Sequence, residues 1–168
     1  MATLIESIEK TNGDVVKILS SFTQEQINAV PFAGSWTAAQ VADHIYKFQV
    51  GIPGLMNGET KPTDRKPDEQ EPAIKNVFLD FTAKFQSPEF VLPTEEPQHK
   101  EELINKINNT TKEISNSMNS LDLSETCLAF AIPGFNEFTR MEWGYFILYH
   151  TQRHVHQLEN ISKVLKDK

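Results

Sequence analysis

Apolar side chains recur every three or four positions along two N-terminal stretches, which is the spacing of one face of an α-helix. The first stretch predicts a helix over about 3–22, and the second predicts a helix over about 37–51. Each begins at a capping box, opened by Thr3 in the first helix and by Thr37 in the second. Gly51 marks the predicted end of the second helix.

The same spacing returns in the second half of the chain, after a long interruption. It predicts a third helix over about 98–121 and a fourth over about 139–166, where Thr139 opens another capping box. Between residues 57 and 98, six of the nine prolines exclude one long regular helix and predict a crossover along the surface. Four apolar residues in the crossover predict a short amphipathic helix: Ile74, Phe78, Phe81 and Phe85.

Strand-like alternation is scarce, so the pattern predicts an all-α fold built as a four-helix bundle. The long crossover allows the second and third helices to run parallel. Residues 127–138, around Pro133 and Gly134, are predicted to form an extended turn. With 168 residues the chain is long enough for one hydrophobic core, and we expect a single domain over residues 1–168.

Composition and charge remove several classes of function. A hydrophobic fraction of 39% and a charged fraction of 23% are typical of a globular protein. The formal net charge of −7, with no basic block, argues against binding to nucleic acid or to an anionic membrane surface. The single cysteine, Cys127, excludes an internal disulfide and a cysteine-based zinc cluster. Because no signal peptide or membrane-spanning run is recognisable either, we expect a cytoplasmic protein.

One stripe of the fourth helix carries histidines where core residues are expected. Its members step by four and three: Trp143, Ile147, His150, His154, Gln157, Ile161 and Val164. At about 100° per residue, His150, His154 and Gln157 point inward together. His156 is turned about 120° from His150 and is predicted to face elsewhere.

His44 occupies a similar position in the second helix, between the core positions Val41 and Phe48. Buried imidazoles without hydrogen-bond partners cost about 1–3 kcal/mol each, so three of them need a common partner. A divalent metal provides one, because neutral imidazole is a good ligand for Zn²⁺, Ni²⁺ or Fe²⁺. We therefore predict a metal site of His44, His150 and His154, with a further position left open as in catalytic zinc sites.

Simpler interpretations of the polar residues stay open. His44 by itself is typical of a core histidine bonded to a carbonyl group, and His99 and His156 are predicted to lie on the surface. Gln157 either orients a metal ligand or fills a polar slot in the core. Arg153 either holds an anionic group near the site or forms a salt bridge at the surface.

Several short motifs resemble the DinB-like (DinB/YfiT) superfamily, and the likeness covers nearly the whole chain. They are SWTAAQVADHI over residues 35–45, the Pro-Gly pair at 133–134, TRMEW at 139–143 and HTQRHxxQ at 150–157. The resemblance implies an up-down-down-up four-helix bundle whose metal is held by His44, His150 and His154. It also implies, for some members, transfer or isomerisation reactions that use a low-molecular-weight thiol.

Three functions follow from these observations. The first is a metal-dependent enzyme in which Zn²⁺ or Ni²⁺ lowers the pKa of a low-molecular-weight thiol for S-transfer to an electrophile. The second is a metal-dependent hydrolase, although residues 151–153 lack the glutamate of His-Glu-x-x-His proteases. The third is a non-catalytic binding bundle with a buried histidine cluster. We expect a small-molecule substrate for the enzymes, and the resemblance is compatible with a homodimer.

Overall fold

The computed structural model describes residues 3–166, and within them the chain is mostly helical, as predicted. The helices are α1 (Leu4–Ser20), α2 (Gln24–Ile27), α3 (Ala38–Gln49), α4 (Ile52–Met56), α5 (Glu71–Leu79), α6 (Lys100–Ser120) and α7 (Arg140–Lys166). Two short strands, β1 (Thr60–Lys61) and β2 (Thr126–Cys127), pair antiparallel. None of the described helices is long and apolar enough to cross a membrane. One domain over 1–168 stays a prediction, and residues 1, 2, 167 and 168 lie outside the described part.

Three of the long helices begin at the capping boxes that the sequence predicts. In α1 the amide of Glu6 donates to Thr3 Oγ1, and the amide of Thr3 donates to Glu6 Oε2. The same reciprocal pair opens α3 at Thr37 and α7 at Thr139. These bonds satisfy amides that have no partner inside the helix, so they fix where each helix starts. The ends of α1, α6 and α7 lie within two residues of the predicted ends.

Two features of the N-terminal half differ from the prediction. The short helix α2 is not among the predicted elements, although Thr23 and Gln26 form a capping box in front of it. The second predicted helix, over 37–51, ends at Gln49, and α4 follows with Pro53 in its first turn. Proline has no amide hydrogen, and the first turn of a helix needs none, so Pro53 begins a new helix.

The crossover between α4 and α6 is not one long helix, which agrees with its proline content. It contains β1, α5 and a 3₁₀ turn at Glu89–Val91. β1 pairs with β2, so Thr60 lies opposite Cys127 at the start of the predicted extended turn over 127–138. Strands of two residues are too short to carry an alternating pattern, which is why the sequence does not reveal them.

The predicted amphipathic helix of the crossover is shorter than its apolar spacing suggests. Ile74 is buried in α5 and Phe78 is half-buried, as the pattern predicts. The prediction is wrong for Phe81 and Phe85, because α5 ends at Leu79 and both phenylalanines are exposed beyond it. The helix stops where Asp80 becomes extended and accepts hydrogen bonds from the amide and hydroxyl of Thr82, which compete with helical hydrogen bonding.

Two clusters of buried apolar side chains fill the space between the long helices. α1 packs against α6 and α7, and α3 packs against the same two helices. Leu19, Ile45 and Leu158 belong to one cluster, whereas Met118 and Trp143 belong to the other. Full burial of one such side chain contributes about 1.5–3 kcal/mol relative to exposure. The clusters therefore hold α3 and α7 firmly side by side, and the functional residues lie on these two helices.

A buried polar group, which we call the amide cluster, joins the four long helices. It consists of Asn12 on α1, Gln49 on α3, Thr111 on α6 and Thr151 on α7. Asn12 Nδ2 donates to Gln49 Oε1 at 3.1 Å and to Thr111 Oγ1 at 2.8 Å. Gln49 Nε2 donates to Asn12 Oδ1 at 3.0 Å and to Thr151 Oγ1 at 2.9 Å. Both side-chain amides therefore use both of their N–H groups within the protein.

Candidate metal centre

Three histidines converge next to the amide cluster, and we call them the histidine cluster: His44 on α3 and His150 and His154 on α7. All three are buried, with exposures of 3%, 8% and 7% respectively. The Nε2 atom of His150 lies 3.2 Å from that of His44 and 3.2 Å from that of His154. One ring nitrogen from each of the three histidines can be chosen so that all three atoms lie within 4.8 Å of one another. The structure thus brings together the residues that the sequence predicts to meet.

Hydrogen bonds on the outer side of two rings fix their tautomers. Nδ1 of His44 is 2.8 Å from the carbonyl oxygen of Val91, which can only accept, so this nitrogen carries the proton. Nδ1 of His154 donates in the same way to Gln157 Oε1 at 2.9 Å. In a neutral imidazole the other nitrogen is then unprotonated. Both Nε2 atoms therefore present lone pairs to the centre of the cluster.

His150 has no satisfactory hydrogen-bonding arrangement within the protein alone. Its Nδ1 is buried without a partner. The ring is enclosed by aromatic side chains, with ring centroids 4.2 Å away at Phe48, 5.7 Å at Phe78 and 5.9 Å at Phe146. If the proton is on Nδ1, a buried donor is unpaired and three lone pairs face one another. If it is on Nε2, only one of the two neighbouring lone pairs is satisfied.

A divalent cation fits the geometry and the chemistry of the histidine cluster. Zinc–nitrogen bonds of about 2.0–2.1 Å in a tetrahedral site place two ligand nitrogens ~3.3 Å apart. The observed separations of His150 Nε2 from the other two Nε2 atoms are both 3.2 Å. Val91 and Gln157 act on the rings as outer partners usually act on metal-binding histidines, fixing tautomer and orientation. The residues present therefore match a three-histidine metal site.

Burial keeps all three imidazoles in the neutral form that binds metal. Desolvation is the largest influence on each, and it lowers the pKa of His44 and lowers that of His150 well below its usual value. The pKa of His154 falls to about 3, again chiefly by desolvation and then by the nearby His44. The hydrogen bond from His44 to Val91 opposes the shift at His44. At neutral pH no imidazole therefore carries the second proton that would compete with a cation.

A chain of polar contacts holds the carbonyl of Val91 against His44. Asp43, the neighbour of His44 on α3, accepts a hydrogen bond from the amide of Thr94 at 2.8 Å. Lys47, one turn further along α3, pairs with Asp43 at 3.1 Å and donates to Thr94 Oγ1 at 3.2 Å. The end of the crossover is therefore fastened to α3, and it supplies the partner that orients one candidate ligand.

A cavity of about 610 Å³ opens over the histidine cluster. Its walls come from residues 32–36, from the crossover between Phe78 and Ser87, and from α7. All three histidines line it, together with Gln157 and Trp36. A small molecule in this cavity can thus reach the inward nitrogen atoms.

The other polar residues singled out by the sequence lie outside the histidine cluster. Arg153 donates to the carbonyl oxygens of Phe78, Asp80 and Ala83, so it fastens the crossover to α7 and is not a surface salt bridge. His156 is half-buried at the rim of the cavity and its ring stacks on Phe81 at 4.2 Å. Its contact with the cavity is a feature that the helical angle alone does not reveal.

Two further residues named from the sequence, His99 and Cys127, lie away from the site, and neither was predicted to belong to it. His99 is exposed. Cys127 is buried in the apolar cluster of Trp143, and burial raises the pKa of its thiol to about 11. A thiol with a raised pKa is a poor nucleophile at neutral pH. Cys127, the single cysteine of the sequence, is therefore not a candidate nucleophile at the site.

Several residues of the site were not predicted from the sequence. Val91 lies 47 residues from His44, and a backbone carbonyl partner leaves no trace in the residue types. Phe146 could have been recognised, because it stands four residues before His150 and therefore on the same helical face. Lys84 and Ser87 line the cavity from an irregular segment, where no periodicity assigns a direction.

Comparison with known proteins agrees with this arrangement. The sequence model of the DinB superfamily matches residues 7–158, which include the whole histidine cluster and Gln157. The chain belongs to the DinB superfamily. This chain is also similar to the uncharacterized protein YuaE of Bacillus subtilis (strain 168), with 22% identity over 148 residues. The aligned part covers 88% of this chain and 90% of YuaE. No solved structure matches at a significant level. The resemblance drawn from the sequence motifs is thus confirmed.

Proposed function

We propose that this protein is a metal-dependent enzyme in which His44, His150 and His154 hold Zn²⁺ or Ni²⁺ and a low-molecular-weight thiol is activated for S-transfer. The observation that carries the proposal is the convergence of three Nε2 atoms, two of them fixed as unprotonated by partners on the outer nitrogens. The lone-pair conflict at His150 Nε2 adds to it, because ligation would use that lone pair and leave the ring proton on Nδ1.

The protein residues would supply binding and orientation. When bound, a divalent cation with an open position acts as a Lewis acid that lowers the pKa of a coordinating thiol. Val91 and Gln157 orient two of the rings that would hold the cation. The aromatic side chains around His150 keep water away from that side of the site. In the reaction the thiol proton leaves to solvent, sulfur forms the bond to the electrophile, and the leaving group departs with its bonding electron pair.

The residues around the cavity favour thiol chemistry over hydrolysis. Among the described residues that line it there is no aspartate or glutamate. Metal-dependent hydrolysis commonly uses such a carboxylate as general base beside the metal. Thiol activation does not need one, because a thiol already has a pKa of about 8.5 and coordination lowers it further. The hydrolase is therefore the weaker alternative.

Elemental analysis of untagged protein tests the metal site directly. Wild-type protein is expected to contain close to one equivalent of Zn²⁺ or Ni²⁺, and His44→Ala, His150→Ala and His154→Ala are each expected to lose it. His156→Ala is the matched control, because it removes a histidine of α7 that lies outside the histidine cluster. Unchanged metal content in all three variants would remove the assignment.

Activity assays separate the three functions. Metal-loaded protein is assayed with cysteine and an activated aryl chloride for S-transfer, and with ester and amide substrates for hydrolysis. S-transfer that disappears in the three alanine variants is expected. Ester or amide turnover without S-transfer would support the hydrolase. A wild-type metal content far below one equivalent per chain would support the non-catalytic bundle with a hydrogen-bonded histidine cluster.

We also propose that the four long helices run up-down-down-up, which sets α3 and α7 in opposite directions across the metal site. Contacts between α1 and α6 pair Glu9 with Ser115 and Asn12 with Thr111, an order expected for antiparallel helices. Contacts between α3 and α7 pair His44 with His154 and Phe48 with Phe146, again in reversed order. Leu4 near Gly144 supports a parallel start of α1 and α7.

Other expectations stay predictions. They are the cytoplasmic location, the homodimer, the lack of nucleic-acid partners and the single domain over residues 1–168. A measurement of molar mass in solution by light scattering would test the homodimer.

A further inference from the structure

Large apolar side chains are exposed around the cavity that opens over the histidine cluster. Phe32, Phe81 and Phe85 are 57%, 47% and 52% exposed, and all three line the cavity. Trp36, which lies 5.2 Å from His44 between ring centroids, adds a fourth aromatic wall. Exposed apolar surface that is gathered in one concave place, rather than scattered, is typical of a ligand-binding site. Flat aromatic walls favour a flat apolar ligand.

The charge of the cavity is opposite in sign to that of the whole chain. The chain carries a formal net charge of −7. Among the described residues that line the cavity, the formally charged ones at neutral pH are Lys84 and Arg153, and neither aspartate nor glutamate lines it. Asp80 lies in the same crossover segment, but its carboxylate accepts two hydrogen bonds from Thr82. Such a cavity attracts an anion, although the surface as a whole repels one.

Lys84 and Arg153 are not equivalent as anion-binding groups. The guanidinium of Arg153 donates to three backbone carbonyls and lies over the ring of Phe85, 4.9 Å from its centroid. Its hydrogen-bonding capacity is largely used within the protein. Lys84 is exposed at the cavity, and no ion pair or hydrogen bond of its side chain is found in the described part of the chain. Lys84 is therefore the cation available to a ligand.

We infer that the cavity selects small anionic molecules with a flat apolar body, and that Lys84 is a specificity-determining residue for the anionic group. This inference rests on the proposed function only in that the reacting end of the ligand approaches the histidine cluster. The aromatic rim binds the body of the molecule, while Lys84 meets a carboxylate on it. An aryl thiol with a carboxylate substituent has this chemistry.

Calorimetric titration with two matched compounds tests the selection. 4-Mercaptobenzoate and 4-mercaptobenzamide share the thiol and the ring, and they differ in one charge. Zinc-treated wild-type protein is expected to bind 4-mercaptobenzoate roughly 1.5-fold to fivefold more tightly, the range for an exposed opposite charge. Mercaptoacetate, which keeps the charge and lacks the ring, is expected to bind at least about tenfold more weakly than 4-mercaptobenzoate.

Two charge-reversal variants assign the effect to its residue. The measured ratio is the dissociation constant of 4-mercaptobenzamide divided by that of 4-mercaptobenzoate. In Lys84→Glu this ratio is expected to fall to one or below. Lys112→Glu changes the net charge equally at an exposed position of α6 outside the cavity, so it should keep the wild-type ratio. An unchanged ratio in Lys84→Glu, or equal binding of the two aryl thiols by the wild type, overturns the inference.

Metal content is measured in every sample before titration, so failure of the metal site is seen separately. Chelator-treated protein is titrated with the same compounds, and weaker binding with the same preference for 4-mercaptobenzoate is expected, because Lys84 is not part of the histidine cluster. Absence of binding of either aryl thiol to both forms would also overturn the inference. If metal-loaded protein binds the two aryl thiols equally well, the assigned ligand class is wrong and the proposed metal site is unaffected.

Discussion

The amide cluster and the histidine cluster are adjacent buried polar groups with opposite hydrogen-bond balances. Thr151 of the amide cluster directly follows His150 of the histidine cluster on α7. In the amide cluster, both side-chain amides donate twice, and each donation meets an oxygen at 2.8–3.1 Å. In the histidine cluster, three ring nitrogens face one another and Nδ1 of His150 has no partner. All three histidines are buried, and so are three of the four residues of the amide cluster, with Thr111 half-buried, so burial alone does not distinguish the clusters.

The difference in hydrogen-bond balance distinguishes a structural polar cluster from a ligand-binding site. A buried group whose donors and acceptors balance contributes to register and stability without any ligand. A buried group with more converging acceptors than donors is costly until a cation enters. The amide cluster is therefore interpreted as a structural link between four helices, and the histidine cluster as a binding site.

Gln49→Leu is expected to have the largest effect on stability. The substitution removes the Gln49 partner of the Asn12 amide and of the Thr151 hydroxyl, so that Asn12 keeps only its bond to Thr111. Each buried unsatisfied group costs about 1–3 kcal/mol, so the free energy of unfolding should fall by about 2–6 kcal/mol. Urea unfolding of chelator-treated protein measures it. Thr111→Val, which removes a single acceptor, serves as the milder control, and equal loss in both variants would contradict the central role of Gln49.

His150→Leu is expected to weaken metal binding strongly, whereas a substitution in the amide cluster is not. The substitution removes the central ligand nitrogen. Loss of a residue that only orients a ligand typically lowers the affinity 10- to 100-fold, so loss of the ligand itself should lower it by more than about 100-fold. Competition with a chromophoric chelator measures the dissociation constant. Thr151→Val alters the neighbouring residue in the amide cluster and should keep the affinity within about threefold. Comparable losses in the two variants would mean that the clusters are not functionally distinct.

Gln157→Leu is expected to weaken metal binding, although Gln157 is not one of the three candidate ligands. The Gln157 side chain accepts the Nδ1 proton of His154 at 2.9 Å, and without it the ring loses its fixed tautomer and orientation. The affinity should fall by about tenfold, the lower end for an outer partner of a metal ligand. Gln152→Leu on the same helix, for whose side chain no hydrogen bond is found in the described part, is the matched control. Equal affinities in the two variants would show that Gln157 only fills space.

Sequence patterns predicted the helices and the histidines because both depend on local spacing. Capping boxes at Thr3, Thr37 and Thr139 are short-range signals, and they place three helix starts within one residue. The inward direction of His150 and His154 follows from helical geometry alone. The same reasoning applied to Thr151 gives no warning that it belongs to a buried cluster, because its partner Gln49 lies 102 residues away.

The crossover marks where prediction from the sequence stops. Apolar spacing extended the α5 pattern to Phe81 and Phe85, yet local hydrogen bonds at Asp80 end the helix earlier. The exposed phenylalanines then become part of the cavity rim, where an apolar side chain serves binding rather than folding. Periodicity cannot separate these two uses of an apolar residue, since it records direction within a regular element and the rim is irregular.

The stability of metal-free protein is expected to fall as the pH drops below 6.5. Folded-state pKa values of the three histidines are lowered, to about 3 for His154, whereas unfolded histidines titrate near 6.5. Below 6.5 the unfolded chain takes up more protons, so the free energy of unfolding decreases. Carboxylates titrate mainly below pH 5, and the window from 7.5 to 5.5 therefore isolates the histidines. His154→Gln should lose roughly 1 kcal/mol of this dependence, measured by urea unfolding with chelator; an unchanged slope would contradict a buried neutral His154.

His150→Leu is expected to have the smallest effect of all on the stability of metal-free protein. Wild-type protein without metal already holds an unpaired Nδ1 at His150 and at least one unpaired neighbouring lone pair. Leucine removes the orphaned nitrogen and fills similar space among Phe48 and Phe146, so the free energy of unfolding should change by less than about 1 kcal/mol. Gln49→Leu, an equally apolar replacement in the amide cluster, supplies the contrast by urea unfolding under identical conditions. If His150→Leu were as damaging as Gln49→Leu in the absence of metal, the histidines would be structural partners of one another, and the difference between the two clusters would vanish.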